Sequence, residues 1–305
     1  MAWNVVVVGG GFGGLSAARE IERRAGSGAV KVTLISQQNF LLYTPFLPEA
    51  AAGTLEPRHV VTPLRDLLDE TRLLLGSVTG VDTERRLVHV RNAEGDPIDV
   101  RYDRLVLSPG SVSRTLPIPG LAEYGSQFKS LADAIWLRNH VIRSLELAET
   151  VRDPQRLDEL LSFVFVGGGY AGLEALAEIQ DFAADAIKAY PSAREHGLRW
   201  VLVEAADRVL GELDAGLAQY TVRELTLCVN DAALAKIHTE LPPLALPVGL
   251  PICTVSRTLI WTAGVKPSPL VAELGLPLDR GGRIVVDREL RVEGSENIWA
   301  IGDAA

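Results

Sequence analysis

The stretch Phe163 to Glu178 reads FVFVGGGYAGLEALAE, and an earlier stretch, Val5 to Glu20, reads VVVVGGGFGGLSAARE. Each has an apolar run with the character of a buried strand, then glycines at GxGxxG spacing, then an Ala-rich amphipathic continuation. That order predicts strand, tight turn and helix. In this setting the first glycine permits the turn, the second lets a diphosphate approach the backbone, and the third lets helix and strand pack closely. Gly9, Gly11 and Gly14 fill the three places in one copy, and Gly167, Gly169 and Gly172 in the other. Two such loops in one chain predict an α/β protein with two dinucleotide cradles. The second copy also carries Glu174 two residues past its last glycine, where the first has Ser16. Read from spacing, Glu174 falls in the first turn of a helix, where the helix dipole favours a carboxylate without any function.

An acid ending the following strand normally accepts hydrogen bonds from ribose hydroxyls. The second unit supplies Glu204 in VLVEA, 32 residues past Gly172, so its helix must be long or followed by an excursion, for which AYPSAREHG qualifies. Glu204 should repel a 2′-phosphate and favour NAD over NADP, with Arg208 nearby acting in the other direction. In the first unit the strand ends at Ser36, 22 residues past Gly14. Serine can make one ribose hydrogen bond but cannot repel a phosphate.

At 305 residues the chain can bury a large core and is expected to form two domains. Its 47% hydrophobic content, with Leu, Val and Ala far outnumbering aromatics, suits buried parallel strands. A net charge of −9 with no long basic run argues against a nucleic-acid surface, while backbone amides can still bind phosphate. The N-terminus has neither a basic n-region nor a small-residue cleavage site, which reads as cytoplasmic. The uncharged run Leu241 to Ser256 is too short to span a bilayer and carries four prolines. Cys228 and Cys253 form no C-x-x-C pair and no zinc pattern, as expected of free thiols in a reducing compartment.

Between the loops, VKVTLIS (Val30 to Ser36) reads as a strand. The Pro-punctuated stretch from Gln37 to Leu68 reads as a loop passing over something, with a short helix from Pro63. Segments from Leu73 to Arg101 alternate and break at Gly, Asn and Asp, as in an antiparallel meander, and RLVLSPG adds a strand. Arg114 to Leu121 resembles a linker, Ser130 to Thr150 has helical periodicity, and LRWVLVEA is a strand. The tail from Gly281 carries two more strand-like runs.

These residues together resemble the type II NADH dehydrogenases, single-chain FAD enzymes that pass electrons from NADH to a quinone without pumping protons. The resemblance rests on VVVVGGGFGGLSAA, NFLLYTPFLPEAAAGTLEPRHVVTPLR, YDRLVLSPGS, FVFVGGGYAGLEALAE, RTLIWTAGVKPSPL and NIWAIGDAA. Together these motifs cover most of Val5 to Leu225 and Arg257 to Ala305, and the second is the most discriminating. The family implies two Rossmann-like dinucleotide-binding domains with small antiparallel meanders, the NADH domain (117–264) inserted in the FAD domain (1–116 and 265–305). By residue matching, Gly9, Gly11, Phe12, Gly13 and Gly14 would hold the FAD diphosphate, with Ser36 and Gln37 near its adenosine. Val78 would pass the adenine by its backbone, Gly110 and Gly302 would approach the cofactor, and Asp303 would hydrogen-bond the ribityl chain. Gly167, Gly169, Tyr170, Gly172, Glu204 and Gly264 would hold NADH. The family also places a glutamate where Glu174 stands, beside flavin and nicotinamide, as the candidate catalytic residue. No metal is implied, and a homodimer is compatible with the family.

Three departures follow. Ser108 to Gly110 reads SPG where many relatives have an Ala-Thr-Gly turn. Thr226 to Ser256 replaces a Gly-punctuated hairpin by an Ala-rich portion and four prolines, through either a compensated reading-frame error or real divergence. The chain stops at Ala305, where relatives continue with a covering helix, quinone-site glutamines and amphipathic helices resting on the inner face of the cell membrane, so it reads as a fragment. The alternatives that stay open are a non-catalytic nucleotide-binding remnant and another flavin reductase of the superfamily, acting on sulfide and quinone or on ferredoxin.

Overall fold

Val5, Val6, Val7 and Val8 are all buried, which a strand achieves only when both faces of its sheet are covered. Val5 and Val7 point into a cluster with Leu15, Ala18, Leu34 and Leu64, while Val6 and Val8 point into one with Leu105, Leu107, Val90 and Tyr102. Burying such side chains contributes roughly 1.5–3 kcal/mol each.

The computed structural model describes residues 2–25, 28–118, 120–227 and 256–305. The strands of the two sheets, in chain order, are β1 (Trp3–Val8), β2 (Val30–Ser36), β3 (Arg72–Asp82), β4 (Leu87–Asn92), β5 (Pro97–Arg101), β6 (Arg104–Leu107), β7 (Gly125–Gln127), β8 (Ser162–Val166), β9 (Arg199–Val203), β10 (Thr258–Trp261) and β11 (Ile298–Ala300). The helices used below are α1 (Phe12–Ala25), α2 (Leu47–Ala52), α3 (Leu131–Ala148) and α4 (Tyr170–Ala186).

The chain divides into two units, each Rossmann-like. The first comprises Met1–Leu42, Val61–Val112 and Val265–Ala305, and the second Tyr43–Val60 and Ser113–Gly264. In the first unit the strand order is β11-β6-β1-β2-β3-β4-β5, parallel from β11 to β3. Strand β3 serves two partners: Arg72 to Leu75 pair parallel with β2, and Gly76 to Asp82 pair antiparallel with β4. Strand β5 completes the expected meander.

The second unit is a parallel sheet of order β7-β10-β8-β9. Helix α3 opens with a capping box, in which the Asp133 amide donates to Ser130 Oγ and the Ser130 amide donates to Asp133 Oδ2 at 2.7 Å. Its buried residues Ala134, Leu137, Val141, Leu145 and Ala148 repeat at helical spacing, as the sequence predicts.

Two expectations change. In place of a helix from Pro63 there is a strand, Val61–Pro63, paired antiparallel with Phe40–Leu42, and a single 3₁₀ turn, Leu64–Asp66. Leu64 is fully buried in the first unit's core, so the chain turns there toward β3 instead of extending a helix. In the tail only β11 is a full strand; Ile284 and Val286 form isolated bridges. The carboxylates of Asp279 and Asp287 draw in the amides two and four residues ahead, closing tight turns in place of ladders. Cys228, Cys253 and nearly all of the Thr226 to Ser256 departure lie outside the described residues.

A Cβ on Gly14 would lie 1.8 Å from the carbonyl oxygen of Gly9. The substitution Gly14→Ala is therefore expected to cost about 1–3 kcal/mol, through backbone movement that no rotamer can relieve. A thermal midpoint equal to that of the parent chain would contradict the packing described.

Candidate functional site

In the first unit the sequence-predicted residues converge on the carboxyl ends of the parallel strands. Gly9 leaves β1 with φ +103°, and its amide donates to the Ile35 carbonyl at 2.8 Å. A Cβ there would fall 1.9 Å from the Ser108 carbonyl oxygen at the end of β6. This is the topological switch point, where the chain continues to β2 on one side while β6 lies on the other. Gly10 and Gly13 are equally confined, with hypothetical Cβ atoms 2.5 Å from Ser36 Oγ and 2.9 Å from Ser108 Oγ. Gly11 differs, since a Cβ there would meet no atom within 4 Å. The loop is thus confined at Gly9, Gly10, Gly13 and Gly14 and open at Gly11, at a helix start whose amides attract anions.

Around it stand buried Ser36, exposed Gln37, and Gly110 with φ +68°. Gly302 (φ +74°) follows β11, and the carboxylate of Asp303 accepts a short hydrogen bond from Ser111 Oγ. Ser36 pairs with Leu75, so Val78 stands three residues beyond that level, at the same edge of the sheet. Phe12 opens α1 with its ring exposed.

The second unit repeats this plan. Gly167 has φ +114°, and its Cβ would fall 2.8 Å from Thr262 Oγ1 and from the Ala263 amide. Gly172 would place a Cβ 2.0 Å from the Gly167 carbonyl oxygen, and Gly169 would meet nothing within 4 Å. Tyr170 opens α4 with its ring exposed, as Phe12 opens α1. Gly264, with φ +91° and open space where a side chain would stand, follows β10. Glu204 follows β9. Its Oε2 accepts from the Gly168 amide at 2.5 Å and its Oε1 from the Ala206 amide at 2.8 Å, so the carboxylate is fixed against the glycine loop. Arg208 turns to the Gly211 carbonyl.

Glu174 corrects one reading. Helix α4 begins at Tyr170 and has no acid in its first turn, so Glu174 opens the second turn, beyond most of the dipole's reach. Its carboxyl is held above the ordinary glutamate range, first by desolvation and then by the charge of Glu49 on α2. An environment that favours the acid form differs from that of a decorative helix-start carboxylate.

Sequence reasoning missed three residues. Ser108 and Thr262 end the strands facing each loop, and Thr262 Oγ1 donates to the Val166 carbonyl at 2.9 Å, tying β10 to the start of the loop. The signal for both was a small hydroxyl residue two places before a glycine after an apolar run. Glu49 had no local signal.

The chain matches the pyridine nucleotide-disulphide oxidoreductase family over residues 3–228 and 254–305. It is 30% identical to the external alternative NADH-ubiquinone oxidoreductase of Yarrowia lipolytica mitochondria, over 99% of this chain and 55% of that protein. It is 31% identical to the type II NADH:quinone oxidoreductase Ndh of Mycobacterium tuberculosis, over 99% of this chain and 66% of the relative. The chain thus spans about half to two thirds of the length of these relatives. NDH2 of Plasmodium falciparum, solved in complex with NADH, superposes with a TM-score of 0.87 at 23% identity, covering 100% of this chain and 64% of that one, a likeness in fold.

The two open glycines provide a direct check. Gly11→Ala and Gly169→Ala are each expected to leave the thermal midpoint unchanged and to weaken binding of the corresponding dinucleotide at least about tenfold, or 1.4 kcal/mol. Calorimetric titration beside thermal denaturation reads both effects, and unchanged affinity would refute the cradle assignment.

Proposed function

Because the chain belongs to the pyridine nucleotide-disulphide oxidoreductase family, we propose that it is the dinucleotide-binding part of an FAD-dependent NADH:quinone oxidoreductase of type II. The observation that carries this reading is the repeated cradle: two parallel sheets, each with one open glycine at its switch point, suit two dinucleotides. The relatives' printed activities support the same pairing of NADH with a quinone. FAD, when bound, supplies a two-electron carrier between the NADH hydride and the quinone.

The chain's residues then divide the work. In the first unit Gly9, Gly11, Phe12, Gly13 and Gly14 hold the FAD diphosphate, and Ser36 and Gln37 meet the adenosine end. Val78 passes the adenine by its backbone, Gly110 and Gly302 allow close approach, and Asp303, oriented by Ser111, receives the ribityl hydroxyls. In the second unit Gly167, Gly169, Tyr170 and Gly172 hold the NADH diphosphate, with Gly264 at the end of β10. Glu204, already bonded to two amides, retains acceptor capacity for ribose hydroxyls and repels a 2′-phosphate. Glu174 positions the nicotinamide and holds a proton for quinone reduction. On this reading the FAD domain is 1–116 with 265–305 and the NADH domain is 117–264, except that Tyr43–Val60 and the residues from Ser113 pack with the second unit. Quinones reside in lipid, so on this reading a full-length parent would lie at the membrane surface, at the inner face of the cell membrane; among the described residues no helix is long and apolar enough to cross a membrane.

Purified chain reconstituted with FAD should be yellow and should bleach on anaerobic addition of NADH; a protein that takes up no flavin would favour a nucleotide-binding remnant instead. Glu174→Gln is expected to keep the bound FAD while steady-state turnover with saturating NADH and quinone falls on the order of 100-fold. Unchanged turnover would remove Glu174 from the chemistry. Glu204→Ser should raise the NADPH to NADH preference about tenfold, measured as a ratio of kcat/KM, through lost repulsion of the 2′-phosphate; an unmoved ratio would remove Glu204 from nucleotide selection.

A further inference from the structure

Strand β6 runs on into Ser108, Pro109 and Gly110, and a following proline favours extended backbone at the residue before it. The Ser108 amide donates to the Val8 carbonyl at 2.8 Å, and the Ser108 carbonyl oxygen is the atom against which Gly9 packs. Its hydroxyl is left over. Ser108 Oγ lies 2.9 Å from where a Gly13 Cβ would stand and 4.0 Å from where a Gly302 Cβ would stand. The oxygen therefore sits between the start of α1 and the turn that follows β11, both of them parts of the first cradle. Ile301 walls the same place, with Cδ1 and Cγ1 each 3.2 Å from the hypothetical Gly13 Cβ.

That hydroxyl is anomalous. Ser108 is only 8% exposed, and its Oγ makes no hydrogen bond among the described residues. Buried hydroxyls are normally bonded, because withdrawing one from water without a partner is unfavourable. Unlike the unpaired oxygens of Thr71, Tyr102 and Ser162, which are sealed inside the fold, Ser108 Oγ remains accessible. The second unit shows the ordinary solution at the matching place, two residues before the glycine that follows the strand. There Thr262 Oγ1 lies 2.9 Å from the Val166 carbonyl oxygen and 3.1 Å from the Gly167 carbonyl oxygen, so its proton is used within the protein. Thr262 ties its own loop together. Ser108 keeps its proton free, beside a helix start whose amides attract anions.

We infer that Ser108 is a cofactor-binding residue, its hydroxyl donating a hydrogen bond to the diphosphate of the dinucleotide held by the first unit. This rests on the reading that the first unit takes FAD, and it adds a side-chain donor to the backbone amides of the loop. The diphosphate is the part addressed because the closer of the two flanking glycines is Gly13, in the helix start, while Asp303 with Ser111 serves the ribityl chain. A phosphate oxygen is a charged acceptor, so the bond belongs to the stronger, charge-assisted class. The steric place itself would accept an alanine. What the serine adds is an oxygen that the free chain does not use, so its removal takes no bond from the fold and one bond from the complex.

Ser108→Ala separates the bond from the packing, and its readouts are affinity and thermal stability. In the flavin-free chain the thermal midpoint should match that of the parent, because no hydrogen bond is lost. Affinity for FAD, read by titration calorimetry, should fall about tenfold or more. ADP carries the diphosphate without the ribityl chain or the flavin ring; measured by its displacement of FAD, its affinity should fall by a similar factor. An FAD affinity equal to the parent's overturns the proposal and leaves the broader reading standing. A lowered midpoint in the flavin-free chain also overturns it, since the hydroxyl would then act in the fold. A fall for FAD with ADP unaffected overturns the assignment to the diphosphate. Should the parent chain itself bind neither FAD nor ADP, the broader reading fails and this one fails with it.

Discussion

Both units depend on backbone touching backbone. The third glycine of each loop has its Cα against the carbonyl of the first, so closely that any Cβ would sit 1.8 or 2.0 Å from an oxygen. Ordinary contacts lie near 3.5 Å, and a shortfall of that size is met only by moving the helix. Moving α1 or α4 off its strand would also move the amides at the helix start, which are the anion-binding groups. Close packing of helix on strand and the capacity to bind a diphosphate therefore follow from one steric condition. The first glycine adds a second condition from the neighbouring strand, Ser108 in one unit and Thr262 in the other.

The two loops share this frame and differ at the end of the next strand. Gly10 faces Ser36, and Gly168 faces Glu204, at matching places. A serine hydroxyl there receives the Gln38 amide at 3.3 Å and carries no charge. The glutamate instead spans two amides and presents a fixed negative charge at the edge of the loop. Selection against a 2′-phosphate is an electrostatic matter, so it is available to the second unit and not, by this route, to the first.

How much of this could be read from the sequence depended on how local the cause was. The strands at Val5 and Phe163, the helix after Ser130 and the meander after Leu73 all follow from neighbours within a few residues. The segment after Pro63 and the tail near Asp279 and Asp287 did not, because there burial of Leu64 and side-chain-to-amide bonds outcompete the local pattern. Glu174 shows a finer limit. A shift of a residue or two in where α4 begins separates a carboxylate explained by the helix dipole from one that is not, and GxGxxG spacing alone does not set that boundary. Glu204 was legible by its position at a strand end, despite an unusual spacing from the loop.

Glu49 was illegible for a different reason. The carboxyl that its charge raises, that of Glu174, lies 125 residues later in the chain, and the stretch around Glu49 has neither helical length nor strand alternation. What the fold adds is a small-residue helix pressed on α4, which leaves a carboxylate oxygen buried without a donor. An orphaned buried acceptor costs about 1–3 kcal/mol, and more when charged. Stability alone would favour alanine at this place, which the three following residues already are. Local preference gives way there to a contact made only in the fold, and its trace is the Glu174 carboxyl, held above the ordinary range first by desolvation and then by the charge of Glu49.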